Sequence, residues 1–291
     1  MSGLQTLETA EATRAWAIQQ RCAGKSIGFV PTMGALHEGH GSLIRASVAN
    51  NDVTIVSIFV NPAQFGPNED LAKYPRTFDA DRSLCEELGA DAIYAPRSAS
   101  MYAANHATFV NVERLSTHLC GASRPVFFRG IATVVTKLFN VVSPDRAYFG
   151  LKDAQQCAVI KRMVRDLDYS IEIVEMPIVR EPDGLAMSSR NAYLSSRDRE
   201  RALCLSKSLI EASNLFAEGE RDANNIKRFV REQLSGVDID YVEVVDACEI
   251  QPVDRIEGKV ILAVGAWLNQ TRLIDNIHLD PDSKVNSTAN S

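Results

Sequence analysis

The order of apolar and polar positions divides this chain into short buried runs separated by amphipathic stretches. Residues 9–23 carry Trp16, Ile18 and Cys22 among the apolar positions of an amphipathic helix, and Gly24 is placed to end it. A short apolar strand is predicted over 26–30, running into the turn-rich segment PTMGALHEGHGS, and a helix over 42–49. Residues 53–60, VTIVSIFV, are a nearly unbroken β-branched and aromatic run. Such a run predicts a strand covered on both faces, as in a parallel sheet.

The alternation continues along the chain. Helices predicted over 77–88, 134–141 and 153–166 interleave with strands at 92–94, 147–149 and 171–177. The pattern predicts an α/β fold, a doubly wound Rossmann-like parallel sheet, over residues 1–180. From about Pro182 the order changes to helices at 199–217 and 223–234 and strands at 241–245 and 260–266. This predicts a smaller α+β domain over 181–280, followed by a polar tail, 281–291, expected to be disordered. Ligands of doubly wound sheets lie beyond the carboxyl ends of the strands. PTMGALHEGH, FVNPAQF and FGLKDAQQ all leave predicted strands at that end.

Composition changes this picture by exclusion. With 291 residues, 45% hydrophobic and 23% charged, the chain has ordinary globular composition and needs neither disulfide nor metal to bury a core. Its net charge of −6, with basic residues not massed in one segment, argues against a nucleic-acid partner. The acidic first residues are not those of a secretory leader, and no run has the length of a membrane span, so neither export nor a membrane partner is expected. The six cysteines, Cys22, Cys85, Cys120, Cys157, Cys204 and Cys248, contain no C-x-x-C pair. They read as small buried hydrophobes in a reducing, cytoplasmic setting.

Four segments carry candidate chemistry. In TMGALHEGH, Gly34 and Gly39 clear the backbone for close approach, while His37 and His40 stand three apart on one helical turn. Imidazoles at a helix N-terminus can donate to charge growing at a phosphate. The alternatives are a zinc pair or a structural role, but His106, His118 and His278 are not spaced as further ligands. Glu38 is expected to face solvent. In NPAQF, Asn61 and Gln64 are amides suited to a small hydroxy acid; in isolation the segment is a polar turn. In GLKDAQQ, Lys152 can neutralise phosphate, Asp153 can accept from ribose or simply cap a helix, and Gln155 or Gln156 can face a substrate. In MSSRN, two hydroxyls and a guanidinium form either a mobile cationic loop or a solvated linker.

Taken in order, PTMGALHEGH, VSIFVNPAQF, DLAKYPRT, FGLKDAQQ, DGLAMSSRN and LIDNI resemble the pantothenate synthetase family from about residue 26 to 279. The resemblance implies a homodimer with an ATP-binding Rossmann-like domain and a C-terminal lid domain, joining pantoate to β-alanine through a pantoyl-adenylate. It implies that His37 and His40 contact phosphates, with Lys152, Ser188, Ser189 and Arg190 carrying phosphate charge, as the catalytic set. Val30, Pro31, Thr32, Met33, Gly34 and Leu151 would complete the ATP site, with Gly150 and Asp153 at the ribose and Val179 and Met187 at the adenine. Asn61, Gln64 and Gln156 would hold pantoate, Gln64 also facing β-alanine, and Mg²⁺ would bridge the phosphates rather than occupy a protein cage. The pattern departs at Cys120 and Phe127, where the family has Glu and His. Alternatives of other classes are another H-x-G-H nucleotidyl transferase, which would release a stable nucleotidyl product, and a nucleotide sensor without turnover.

Overall fold

The computed structural model describes residues 3–67 and 69–282. In chain order its first part runs β1 (Gln5–Leu7), α1 (Ala10–Cys22), β2 (Ile27–Thr32), α2 (Glu38–Asn50), β3 (Val53–Ile58), α3 (Phe78–Glu87), β4 (Ala92–Tyr94), the single turns α4 (Ser98–Met101) and α5 (Cys120–Ser123), α6 (Phe127–Val142), β5 (Arg146–Gly150), α7 (Ala154–Asp166) and β6 (Glu172–Met176). The second part runs α8 (Ser196–Ala217), α9 (Ala223–Gln233), β7 (Asp238–Asp246), β8 (Val260–Leu268) and β9 (Thr271–Leu279).

The first six strands form one parallel sheet in the order β1-β4-β3-β2-β5-β6. From β2 the chain winds to one side through β3 and β4, then crosses to β5 and β6 on the other. The order therefore reverses between β2 and β5, the place where an open parallel sheet leaves a crevice at its carboxyl edge. Period-two alternation builds both faces. Phe29 and Ile55 join Trp16, Phe139 and Ile160 in the core under α1, α6 and α7, whereas their neighbours Val30 and Val56 join Ile44 and Cys85 under α2 and α3.

The remaining strands form an antiparallel sheet, β7-β8-β9, and its central strand is buried on both faces. Val260, Leu262, Val264 and Ala266 pack under α8 and α9, while Ile261 and Ala263 join the core that α6 and α7 share with the parallel sheet. The two sheets thus meet through apolar surface.

Several elements differ from the sequence-based expectation. Strand β1 is only three residues long with two of them polar, and β9 intersperses its apolar residues with Arg272, Asp275, Asn276 and His278, so neither stood out. Helix α2 begins at Glu38 and α6 at Phe127, four and seven residues earlier than the pattern predicts, because Gly39, Gly41 and Gly130 weaken the helical signal there. All six cysteines are free, but Cys22 and Cys248 are exposed rather than buried. Residues 281 and 282 form a turn, and 283–291 lie outside the described residues. Among the described residues no helix is long and apolar enough to cross a membrane.

Candidate active site

The segment after β2 is held by a carboxylate that the sequence did not flag. Asp81 on α3 is buried and accepts from the N–H groups of Ala35 (3.0 Å) and Leu36 (2.8 Å) and from the Thr77 hydroxyl (3.2 Å). The loop bends through positive φ at Gly34 (82°) and Ala35 (50°), and a Cβ on Gly34 would lie 2.9 Å from Asp81 Oδ2. His37 arrives in extended conformation as the N-cap of α2, and its N–H donates to His40 Nδ1 at 3.3 Å. That bond assigns the proton of a neutral His40 to Nε2.

The two rings lie 4.1 Å apart between centroids. Burial, then the Lys152 charge, lowers the His37 pKa to about 4; burial, His37 and Lys152 lower that of His40 to about 3. Both are therefore neutral at pH 7 and can offer N–H dipoles rather than charge. Buried His37 Nδ1 has no hydrogen-bond partner among the described residues. Gly39 gives the ring its space, since a Cβ there would sit 2.9 Å from His37 Cε1. Glu38 is exposed and pairs with Arg45, as expected of a solvent-facing residue.

Beyond β3, the Asn61 amide is wholly consumed inside the protein. Its Nδ2 donates to Gln64 Oε1 (3.0 Å) and to Gly130 O (3.1 Å), and its Oδ1 accepts from Tyr102 O–H (2.8 Å) and Ala63 N–H (3.3 Å). Gln64 is thereby turned so that Nε2 lies 3.0 Å from Met33 Sδ, beside the cavity. Gly130 lets α6 press against this turn: a Cβ there would meet Ala63 O at 2.3 Å.

After β5, Leu151, Lys152 and Asp153 form a single 3₁₀ turn leading into α7. Asp153 stands at the N-cap of α7, but its side chain makes no capping bond and lies 3.8 Å from Lys152 Nζ, so the capping alternative is not what the geometry shows. The choice between the two glutamines is also decided. Gln155 is buried and holds Leu115 O (2.9 Å), His118 O (2.7 Å) and Cys120 N–H (3.1 Å), whereas Gln156 lines the cavity.

The strap carrying Met187–Arg190 closes the opposite side. Met187 N–H donates to Val179 O (3.0 Å), and Met187 Sδ accepts from Gly39 N–H (3.2 Å). Arg190 forms a two-pronged ion pair with Asp70, both contacts 3.0 Å, and the Ser189 and Tyr74 hydroxyls lie 3.4 Å apart. Burial works against the Arg190 charge, but Asp70 outweighs it and holds the pKa above its ordinary value.

These parts enclose an inner cavity of ≈ 230 Å³ lined by Pro31, Thr32, Met33, His37, His40, Asn61, Gln64, Gly150, Lys152, Asp153, Gln156, Val179, Met187, Ser188, Ser189 and Arg190. Val30 packs in the core behind it, Gly34 faces Asp81, and Leu151 offers its carbonyl to Asn276, so these three do not line it. A larger cleft of ≈ 1090 Å³ runs outward between the sheets and shares Arg124, Phe127, Lys152, Asp153, Ser188 and Arg190 with it.

The wall between them carries the two departures from the family pattern. The Arg124 guanidinium lies 3.6 Å over the Phe127 ring, bonds Glu69 (2.7 Å) and reaches Gln64 O (3.2 Å). Cys120 Sγ lies 3.4 Å from Tyr241 Oη and 3.5 Å from both Arg272 Nη atoms. Asp81 and Tyr102 had no signal in the sequence that linked them to the site, whereas Arg124 opens the segment in which the family pattern departs at Phe127. Asp275 and Asn276 had one, as the LIDNI motif, but without a role.

A doubly wound sheet bearing an imidazole pair, a lysine turn and a cationic strap where its strand order reverses is the layout of a phosphate-handling α/β enzyme. The family model for pantoate-beta-alanine ligase matches residues 5–278. A pantothenate synthetase of Thermotoga petrophila is 55% identical over 276 residues, covering 94% of this chain and 99% of the relative. A crystal structure of pantothenate synthetase from Thermus thermophilus superposes with a TM-score of 0.88 at 40% identity, covering 94% and 98% of the two chains. A pantoate-beta-alanine ligase from Francisella tularensis, solved in complex with beta-gamma ATP and beta-alanine, is 30% identical with a TM-score of 0.77, covering 94% and 97%. The chain belongs to the pantoate-beta-alanine ligase family.

Proposed function

We propose that this protein condenses pantoate with β-alanine at the expense of ATP through a pantoyl-adenylate, releasing pyrophosphate and then AMP. The observation that carries the reading is the neutral His37–His40 pair, Lys152 and the Ser188–Arg190 strap converging on one cavity whose inner end holds the amides of Gln64 and Gln156. The family and the nucleotide-bound relative support it.

In the first step a pantoate carboxylate oxygen attacks the α-phosphorus and the α–β bridging P–O bond breaks, releasing pyrophosphate. Lys152, Ser188, Ser189 and Arg190 balance the triphosphate charge, and the imidazole N–H groups donate to the oxygens on which charge grows. Gln64 Nε2 and Gln156 orient the hydroxy acid, while Asn61 acts through Gln64. Pro31, Thr32, Met33, Gly150, Asp153, Val179 and Met187 bound the nucleotide. In the second step the β-alanine amine attacks the acyl carbon, the carbon–oxygen bond to AMP breaks, and the nitrogen gives up a proton to solvent. No side-chain nucleophile takes part.

Among the described residues no cluster of three or more His, Cys, Asp or Glu could cage a metal ion. Mg²⁺ would arrive with the nucleotide, with Asp153 available from the cavity lining, and would supply charge neutralisation. The inner cavity of ≈ 230 Å³ is continuous with the outer cleft through Lys152, Asp153, Ser188 and Arg190, and the strap latched to Asp70 is the element that would move as a nucleotide seats.

We take residues 1–180 as the nucleotide- and pantoate-binding domain and 181–280 as the second domain, in a cytoplasmic homodimer; sedimentation of the purified protein tests the dimer. The function is tested by an AMP-coupled assay with ATP, pantoate and β-alanine, each omitted in turn, alongside pyrophosphate exchange. AMP release only in the full mixture, with exchange requiring pantoate but not β-alanine, is the expected result. A stable nucleotidyl product, or nucleotide binding without turnover in any mixture, would overturn it.

A further inference from the structure

Strand β9 reaches the site with two consecutive polar residues, both buried: Asp275 at 3% and Asn276 at 4% exposure. Burying a carboxylate and an amide side by side is costly, and of the Asn276 amide only Nδ2 finds partners, Oδ1 having none among the described residues. Successive strand residues point to opposite faces. Leu273 and Leu279 belong to the core under α8 and α9, and Ile274 packs on the core shared with the parallel sheet. Asp275 therefore shares a face with the leucines, and Asn276 faces the parallel sheet.

Asn276 Nδ2 donates both its protons to consecutive carbonyls, Leu151 O and Lys152 O, each at 3.0 Å. Those carbonyls belong to the two peptide planes flanking Lys152 Cα. Holding both restrains φ and ψ of Lys152 together, and with them the direction of its Cα–Cβ bond. The amide orientation is forced, because only the NH₂ side can meet two carbonyls. Asp275 makes a two-pronged ion pair with Arg180, at 2.7 and 3.1 Å. Arg180 Nη1 also donates to Gly184 O (3.1 Å), and Arg180 pairs with Ala186 across the hairpin from which Met187–Arg190 emerges.

We infer that Asp275 and Asn276 are positioning residues through which one strand of the second sheet sets the lysine turn and the root of the cationic strap at a fixed separation. The second sheet is then part of the phosphate site itself. This rests on the proposed role of Lys152. A displacement of about 1 Å in such a group can cost roughly 10²-fold in rate, so the device acts on rate more than on affinity.

The test is a double-mutant cycle in pyrophosphate exchange with ATP and pantoate, together with hydrogen exchange of the full-length protein. Asn276→Ala is expected to lower kcat by about 10- to 100-fold, with the KM for ATP within about threefold, and to cost less than about twofold more in a Lys152→Ala background. Asn276→Asp, equal in size but offering oxygens to two carbonyls, is expected to do no better than alanine. Losses that simply multiply in the double variant, a fall confined to KM, or near-wild-type rates in Asn276→Asp would overturn the inference and leave a packing role. Hydrogen exchange is expected to rise over 151–156 in Asn276→Ala and over 184–190 in the milder Asp275→Asn. Unchanged exchange over 184–190 in Asp275→Asn overturns it even if Asn276→Ala does not fold. Lack of any pantoate-dependent exchange in the wild type would strike the proposed function, and the hydrogen-exchange arm would still decide the positioning.

Discussion

Two walls of the same cavity are built on opposite principles. Along the phosphate wall some polar atoms are left without partners: His37 Nδ1 has none among the described residues, Asp153 caps nothing, and both imidazoles are kept neutral by burial and by Lys152. Along the wall of Cys120 to Phe128, side chains consume one another: Arg124 stacks on Phe127 and binds Glu69, and Cys120 sits against Tyr241 and Arg272. An unsatisfied buried polar group costs roughly 1–3 kcal/mol and persists only where something else requires it. On the proposed function the phosphate wall is the reacting side and the other wall the scaffold. The two family departures, Cys120 and Phe127, fall on this second wall.

The largest effect should come from the reacting side. Lys152→Ala and His40→Ala are each expected to slow pyrophosphate exchange by roughly 10²- to 10³-fold with an unchanged circular dichroism spectrum. Exchange within a few-fold of wild type would erase the distinction between the walls. Next is Gly130→Ala, where the added methyl meets backbone atoms, Ala63 O at 2.3 Å and Gln64 Cα at 2.7 Å, that cannot swing aside. Overpacking of this kind costs about 1–3 kcal/mol. Calorimetry should register a melting temperature lower by several degrees, with a raised KM for pantoate.

The strap lies between the two principles, latched by Arg190 to Asp70 but carrying residues proposed to meet the phosphates. ATP with pantoate should slow hydrogen exchange over 185–191, and Asp70→Asn should speed it in the free protein; identical protection with and without ligand would rule out a moving strap.

A smaller effect is the pH response of the imidazole pair. Their folded pKa values, about 4 and about 3, lie below the unfolded value near 6.5. As pH falls below about 6.5 the unfolded chain takes up protons first, so the pair's contribution to stability is present above that pH and is lost progressively toward pH 3–4. His40→Gln should flatten the fall in melting temperature over that window. A slope equal to that of the wild type would place the burial elsewhere. The smallest effect is expected for Phe127→His, which should change pyrophosphate exchange and β-alanine-dependent AMP release by less than about threefold, the range of a conservative wall substitution. Failure of the natural sequence to release AMP with β-alanine, exchange being intact, would mean that the second half-reaction needs the family's His.

Much of the architecture was legible in one dimension because a parallel sheet advertises itself. VTIVSIFV is apolar on both faces only because both faces are covered, and the strand-to-turn junctions at Pro31, Asn61 and Gly150 mark the carboxyl edge where the cavity lies. The chemistry-bearing residues were legible for a related reason. Paired histidines, a lysine and a serine-serine-arginine run in three turns are few enough to be seen as motifs.

The sequence by itself determined the order of most elements, β1 and β9 excepted, the sheet edge that bears the site and the side chains that can meet a phosphate, since these depend on local periodicity and residue chemistry. Only the tertiary structure decided how those side chains are held. Nothing local connects Asp81 to the N–H groups of Ala35 and Leu36, Tyr102 to Asn61, or Asn276 to the carbonyls flanking Lys152. Partners separated by 41 to 125 positions meet only once the sheet has wound and the second sheet has docked. An amide such as Gln155 or Gln156, or a carboxylate such as Asp153, takes its role from which partner the fold brings within hydrogen-bonding reach, and that distance is not encoded in any window of the chain.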